Sequence, residues 1–239
     1  MKKIKIKLVQ LGKQQHEDVF EKLKNYKSSI FEVEIYRKNL PECDYEWGYR
    51  FHTLKELLNA ENNSDYDMCI GFIDTIIENN YFGKRLDEYK TYIISFYEVD
   101  EILQKENIDI FNYILLTMYK YITRYKLRIS GEKLVHDETR GCIFDMCGDK
   151  RNVIYSCNKP IICNECRSKI YKYDCDEEYI KNLEKELKKI KKTVYYRISD
   201  FIKKEPILSL IIGIVSSIVL NLVSCAIYDF IKLVLGIDK

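Results

Sequence analysis

Between His136 and Cys166 the chain reads HDETRGCIFDMCGDKRNVIYSCNKPIICNEC, a histidine followed by acids and then five cysteines. Thiolate and imidazole are ready Zn2+ ligands, and a short spacing lets two of them converge on one tetrahedral ion. Cys142 and Cys147 are separated by four residues, Cys163 and Cys166 by two, and fifteen residues lie between the pairs. Two such pairs joined by a loop is how a structural four-cysteine site is assembled. The expected ligands are therefore Cys142, Cys147, Cys163 and Cys166, with Cys157 and His136 as substitutes for any one of them. The plainer reading of Cys142, within GCIFDM, is a small buried residue of a strand. A nucleophilic role for Cys142 beside His136 would compete with metal for the same thiolate.

The elements that must position these groups can be read from periodicity. KIKLVQL (5–11) and FEVEIY (31–36) alternate apolar and polar side chains, and Val19, Phe20 and Leu23 between them recur at helical spacing, so the chain opens β-α-β. A short helix is expected around 54–58, a more fully buried strand at YDMCIGFID (66–74) and another at TYIISFYEV (91–99). Ile110, Phe111, Ile114, Leu115, Met118 and Ile122 mark an amphipathic helix against the sheet. Beyond the cysteines, Ile180, Leu183, Leu187, Ile190, Val194 and Phe201 repeat at intervals of three and four with Arg197 on the same seam, which fits either a coiled-coil neck or a single helix lying on the preceding domain.

From Ile207 to Tyr228 run 22 residues without a charge, enough helix to cross about 30 Å of hydrocarbon. Lysines and Arg197 crowd the N-terminal side (Lys188, Lys189, Lys191, Lys192, Lys203, Lys204), whereas Lys232 and Lys239 follow, which places the N-terminal domain in the cytoplasm. Ser209, Gly213, Ser217, Asn221 and Cys225 trace a small and polar stripe down one face of the span, suited to packing against a second copy. The lysine-rich start, Met1 to Leu11, alternates like a strand and does not read as a secretory leader, so the nine cysteines are expected reduced. A net charge of +2, from 39 basic and 37 acidic residues, argues against a nucleic-acid partner, and no phosphate-binding glycine loop, dinucleotide fingerprint or serine-hydrolase elbow is present.

HDETRG (136–141) resembles the HExxHxxG helix of zincins, and the cysteine layout after it is similar to that of the archaemetzincins. KIKLVQLG, IGFIDTII (70–77) and YFGKRL resemble that family's first strand, central strand and following loop, so the resemblance extends over about residues 1–170. It implies an α/β, zincin-like mixed sheet with packed helices, an HExxH helix, and a second, structural zinc on the cysteines. In this chain His136 keeps the first ligand position, Asp137 stands where the general-base Glu would be, and Arg140, which cannot ligate a cation, occupies the second ligand position.

The expected architecture is an α/β domain (1–135), a cysteine-rich zinc-binding segment (136–175), a charged amphipathic or coiled-coil neck (176–205), a transmembrane helix (206–229) and a short tail (230–239). The expected function is a membrane-anchored cytosolic zinc-binding sensor or effector module. Its zinc is structural, its partners are membrane lipid, a second copy of itself and a protein or peptide ligand, and it acts by oligomerising at the membrane. The alternative is a membrane-tethered zinc metallopeptidase using His136 and Asp137.

Overall fold

The computed structural model describes residues 2–13, 15–59, 65–87, 90–129, 134–173 and 175–235, the last three as backbone only. The chain divides into two compact units, Met1–Lys191 and Lys192–Lys239.

The first unit is built on a five-stranded mixed sheet in the order β2-β1-β4-β7-β6, with β1 at Ile4–Leu11, β2 at Phe31–Lys38, β4 at Met68–Ile73, β6 at Gly83–Arg85 and β7 at Thr91–Ser95. The first four in spatial order run parallel, with Ile4 opposite Phe31, Ile6 opposite Met68 and Cys69 opposite Thr91; β6 closes the edge antiparallel to β7. Both faces are covered. Ile6 and Leu8 of β1 and Met68, Ile70 and Phe72 of β4 face one apolar cluster, while Val9, Leu11, Cys69 and Ile73 face a second. This is the two-residue period of a strand buried on both sides, and it explains why β4 is a continuous apolar run, whereas the alternating β1 buries Lys7 and Gln10 too. Helix α2 (Phe51–Asn59) seats Leu54 and Leu58 on the second face. Its approach depends on Gly71, where a Cβ would stand 2.8 Å from Leu58 Cδ1.

The other face holds α1 (Glu17–Lys24) and the long α4 (Ile110–Lys126), so the β-α-β opening and the amphipathic helix are present as read. Asp109 caps α4 by accepting the Phe111 amide at 2.9 Å. Thr91–Val99 is shorter as a strand than its composition suggests. After Ser95 the chain turns through Glu98, at φ 64°, into α3 (Val99–Lys105), and Val99 and Leu103 are buried on the helix face.

The run of threes and fours beyond the cysteines divides between the two units instead of forming one continuous neck. Helix α7 (Glu177–Leu187) belongs to the globular unit: Ile180, Leu183 and Leu187 lie in its main core with Tyr179, and Ile190 beyond the helix joins them. The chain is non-helical at 188–193, and α8 (Val194–Lys204) in the second unit buries none of its residues. The cysteine-rich segment is likewise no separate layer, because Cys142, Ile143, Phe144, Cys163 and Cys166 sit in the same core as the sheet.

Helix α7 is held by one buried carboxylate. Glu186, 3% exposed, accepts from Ser28 Oγ at 2.7 Å and from both Ser29 N and Ser29 Oγ at 2.6 Å, with a further hydrogen bond from Tyr119 of α4. Burial raises the Glu186 carboxyl, but the Ser29, Tyr119 and Ser28 donors outweigh it, and its pKa lies below the ordinary value. A carboxylate depressed in the folded state contributes stability above its unfolded pKa, about 4.3, that is lost as pH falls through the folded value. Glu186→Gln, which aims amide hydrogens at these donors, should destabilise the full chain by about 1–3 kcal/mol in detergent-solubilised urea unfolding. It should also flatten the acid limb of stability against pH below about 4.3; an unchanged acid limb would remove Glu186 from that role.

Candidate metal centre

Four donors converge: one ligand atom each from His136, Cys142, Cys163 and Cys166, all within 4.8 Å of one another. The three cysteines are buried and His136 is partly so. The sequence-expected Cys142, Cys163 and Cys166 are brought together, but Cys147 is not; His136 takes its place. The donor set, one imidazole and three thiols, fits Zn2+.

Local backbone explains the convergence. Gly141, at φ 72°, turns the chain ahead of Cys142 in a conformation that side chains disfavour. Cys142 then bridges to Ile161, with Ile143 N–H donating to Ile161 O at 3.0 Å and Ile161 N–H to Gly141 O at 2.9 Å. This sets Cys163 beside it, and the Cys163 amide points at Cys142 Sγ at 3.5 Å. Cys163 is the residue that starts α6 (Asn164–Tyr171), so Cys166 follows one helical turn later and returns to the same side. His136 bridges to Asp145, and Met146 N–H donates to His136 O at 3.0 Å. Nδ1 of His136 lies 2.8 Å from Glu138 O. A proton there leaves Nε2, which is 3.5 Å from Cys163 Sγ, as the ligating atom.

Asp145 is the residue that sequence reasoning missed. It is 2% exposed, and its Oδ2 accepts the amides of Arg140 and Cys142, both at 3.0 Å, and Ser156 Oγ at 3.3 Å. Its Oδ1 stands 3.4 Å from His136 Nε2 and has no hydrogen-bond partner among the described residues. One carboxylate thus shapes the loop that presents Cys142 and faces the histidine ligand. The only signal available in sequence was an acid placed inside the C-x4-C loop.

The same turn carries Cys147 away. It has φ 53° and is buried apart from the cluster, and burial pushes its thiol up to about 11. Cys157, the other substitute, is fully buried, its thiol raised well above the ordinary range by burial, and its carbonyl accepts from Asn112 at 3.0 Å. Within the cluster, a hydrogen bond from Cys166 holds the Cys142 thiol down to about 5 against the opposing effect of burial. The same contact, with burial, drives Cys166 well up. A divalent cation among the four donors would stabilise both sulfurs as thiolates.

HDETR does not lie on a helix. His136 is in an isolated bridge and residues 137–140 are bends and coil, so the i, i+4 geometry of HExxH is not formed there. Asp137 is exposed and outside the four-donor group. Arg140 instead bonds Glu138 at 2.6 Å and Glu165 of α6 at 3.0 Å, an ion-pair clasp across the knuckle.

Asp145→Ala leaves the buried Cys142 amide and the part-buried Arg140 amide without their acceptor, and should cost about 3 kcal/mol in unfolding and weaken zinc binding roughly 10- to 100-fold in a chelator competition. Cys147→Ser should leave zinc affinity unchanged; a loss there equal to that of Cys163→Ser would overturn the ligand set.

No family model matches the chain and no curated protein does. Among solved structures it is similar to archaemetzincin from Archaeoglobus fulgidus complexed with malonate, at 21% identity over 70% of this chain and 99% of that one, with a TM-score of 0.43. It is also similar to a zinc-dependent peptidase from Methanocorpusculum labreanum, at 12% identity over 69% of this chain and 99% of that one, with a TM-score of 0.47. The first of these is an archaemetzincin, the family that the cysteine layout resembles.

Proposed function

We propose that the protein is a membrane-anchored zinc-binding sensor or effector module in which the zinc is structural. The observation that carries this reading is that His136 stands among three buried cysteines within 4.8 Å, so the histidine closest to a zincin motif is committed to a closed four-ligand set. Structural zinc sites are tetrahedral and closed, whereas catalytic ones keep a position open for water.

The anchoring half rests on α9 (Pro206–Leu235), whose stretch Pro206–Lys232 contains a window with a mean hydropathy of 2.5, none of it buried. Helix α8 just before it exposes Val194, Ile198, Phe201 and Ile202, which fall along one helix face, with Lys203 and Lys204 at its end. An exposed amphipathic helix next to an apolar span suits the membrane interface, apolar face in the acyl boundary and lysines at the headgroups. The lysine excess on this side supports a cytoplasmic globular unit. Gly213, Ser217, Asn221 and Cys225 are exposed along α9 and Ser209 is half-buried, and their spacing supports self-association of spans.

Metal content of the full chain in detergent tests the first half. One zinc per chain is expected, lost with Cys163→Ser and with His136→Ala, together with loss of the folded unit, since metal binding and folding are coupled. Two metals per chain, with peptide cleavage that disappears in His136→Ala, would return the metallopeptidase reading. For the second half, Gly213→Ile should abolish crosslinked oligomers in membranes while leaving zinc content unchanged; unaltered crosslinking would remove self-association through this face.

A further inference from the structure

A cavity of about 600 Å³ opens in the globular unit between β6, α4 and the loop around Gly148. Its lining includes Lys84 and Arg85 of β6, Lys120 and Arg124 of α4, and Lys150, with no Asp or Glu among its described lining residues. A nearly neutral chain has therefore gathered five cations from three segments around one space.

Of these side chains, Lys120 and Arg85 are held through uncharged groups. Lys150 is answered by Glu98 at 3.2 Å and is also bonded to Asn80 and to Tyr97 O. Lys120 Nζ donates to Asp145 O at 2.9 Å, and Arg85 Nη1 to Ile129 O at 3.1 Å. Backbone carbonyls fix the position of a cation without neutralising it. Lys84 lies over the rings of Tyr81 and Phe51, 5.0 and 5.3 Å from their centroids. Burial pushes the Lys120 ammonium down from its ordinary value, the mark of a cation held where water does not fully solvate it. Tyr81, 45% exposed, and Phe82 add ring surface at the same wall.

We propose that this cavity binds a small molecule carrying two or more phosphates and an aromatic ring, of the nucleotide class. Arginine guanidinium matches phosphate oxygens in pairs and lysine serves as a point charge. Cations on three separate segments suit charge spread over several phosphates better than a single carboxylate. The volume is in the range of small-molecule sites, and the aromatic wall offers a stacking surface to a base. None of the four zinc donors lines the cavity. The assignment rests on the sensor reading only for its role, supplying the class of signal that such a unit would read.

The test is calorimetric titration of the full chain in neutral detergent with ATP, inorganic pyrophosphate, inorganic phosphate and a hexaglutamate peptide as probes, with zinc content measured on each sample. Saturable binding of ATP at one site per chain is expected, tighter than pyrophosphate and much tighter than phosphate. Lys84→Glu, at an exposed position, and Arg124→Gln should each weaken ATP at least about tenfold with zinc content and helicity unchanged. No saturable binding of ATP or pyrophosphate at millimolar concentration, or equal affinity in both variants, would overturn the assignment. Binding of hexaglutamate in preference to ATP would overturn it in favour of an acidic peptide. Association only with vesicles containing phosphatidylinositol phosphates, and not with soluble phosphates, would move the ligand from a nucleotide to a lipid headgroup and overturn the class. Loss of zinc without loss of ATP binding would separate a failure of the structural-zinc reading from a failure of this one.

Discussion

Three thiols and an imidazole buried within 4.8 Å of one another cannot all present lone pairs inward unless a cation occupies the space between them. Without one, the thiols act on each other, and the Cys142–Cys166 contact lowers the pKa of the first while raising that of the second. This constraint governs the whole middle of the chain. Between the end of α4 and the start of α7 the described backbone makes isolated bridges and short helices instead of a sheet. Such a segment has few repeating hydrogen bonds to stabilise it. Ligation would supply what secondary structure does not, and it would do so inside the core, because Cys142, Cys163 and Cys166 pack in the same cluster as the strands.

Two buried carboxylates complete the arrangement from opposite ends. Asp145 gathers the amides of the loop that presents Cys142. Glu186 gathers Ser28, Ser29 and Tyr119, and so ties the last helix of the unit to the residues that precede β2 and to α4. Both are sites where a lone charge would be expensive; donors meet both oxygens of Glu186 and the Oδ2 of Asp145. The knuckle also forms part of the cationic cavity, since Met146, Cys147 and Gly148 continue from the Cys142 loop into its wall. Metal ligation and cavity shape therefore share one stretch of backbone.

The strand at 68–73 was legible because a strand buried on both faces has to be an apolar run, whereas 4–11 was read from its alternation as a strand with one buried face, and the fold buries Lys7 and Gln10 on it as well. Cys163 and Cys166 were legible for a similar reason: a C-x2-C at a helix start has one way to turn both sulfurs inward. Cys147 was not. Its spacing from Cys142 satisfies a ligand pair, but Asp145 closes the loop on Cys142 and Arg140, and the chain leaves at φ 53° toward α4. Which of His136 and Cys147 completes the set depends on that turn, and spacing carries no information about it. The pattern beyond the cysteines left two readings open. A helix packed on a domain and a helix packed on its twin show the same intervals of three and four, so the burial of Ile180, Leu183 and Leu187 inside the unit could not be separated from a coiled coil by periodicity. The cationic cavity was invisible because its lysines and arginines lie on β6, α4 and the loop before Lys150, far apart in a chain whose total charge is +2.

The second unit poses the opposite physical problem. In α8 and α9 apolar side chains are exposed, from Val194 through Ile231. Water does not tolerate a continuous apolar surface of this extent on an isolated helix. Lipid does, because every backbone group of a helix is bonded within itself. Pro206 stands at the first turn of α9, where its missing N–H would have had no partner, and Glu205 before it leaves the helical region at φ −129° and ψ 65°. The break therefore falls between an amphipathic helix ending in two lysines and a span without charge. A continuous helix through this point would hold α8 and α9 on one axis; the break at Glu205 lets α8 take a direction of its own, as the proposed membrane reading requires. Sequence and geometry meet at that residue: the charge pattern separates surface from span, and the proline makes the change of direction possible there.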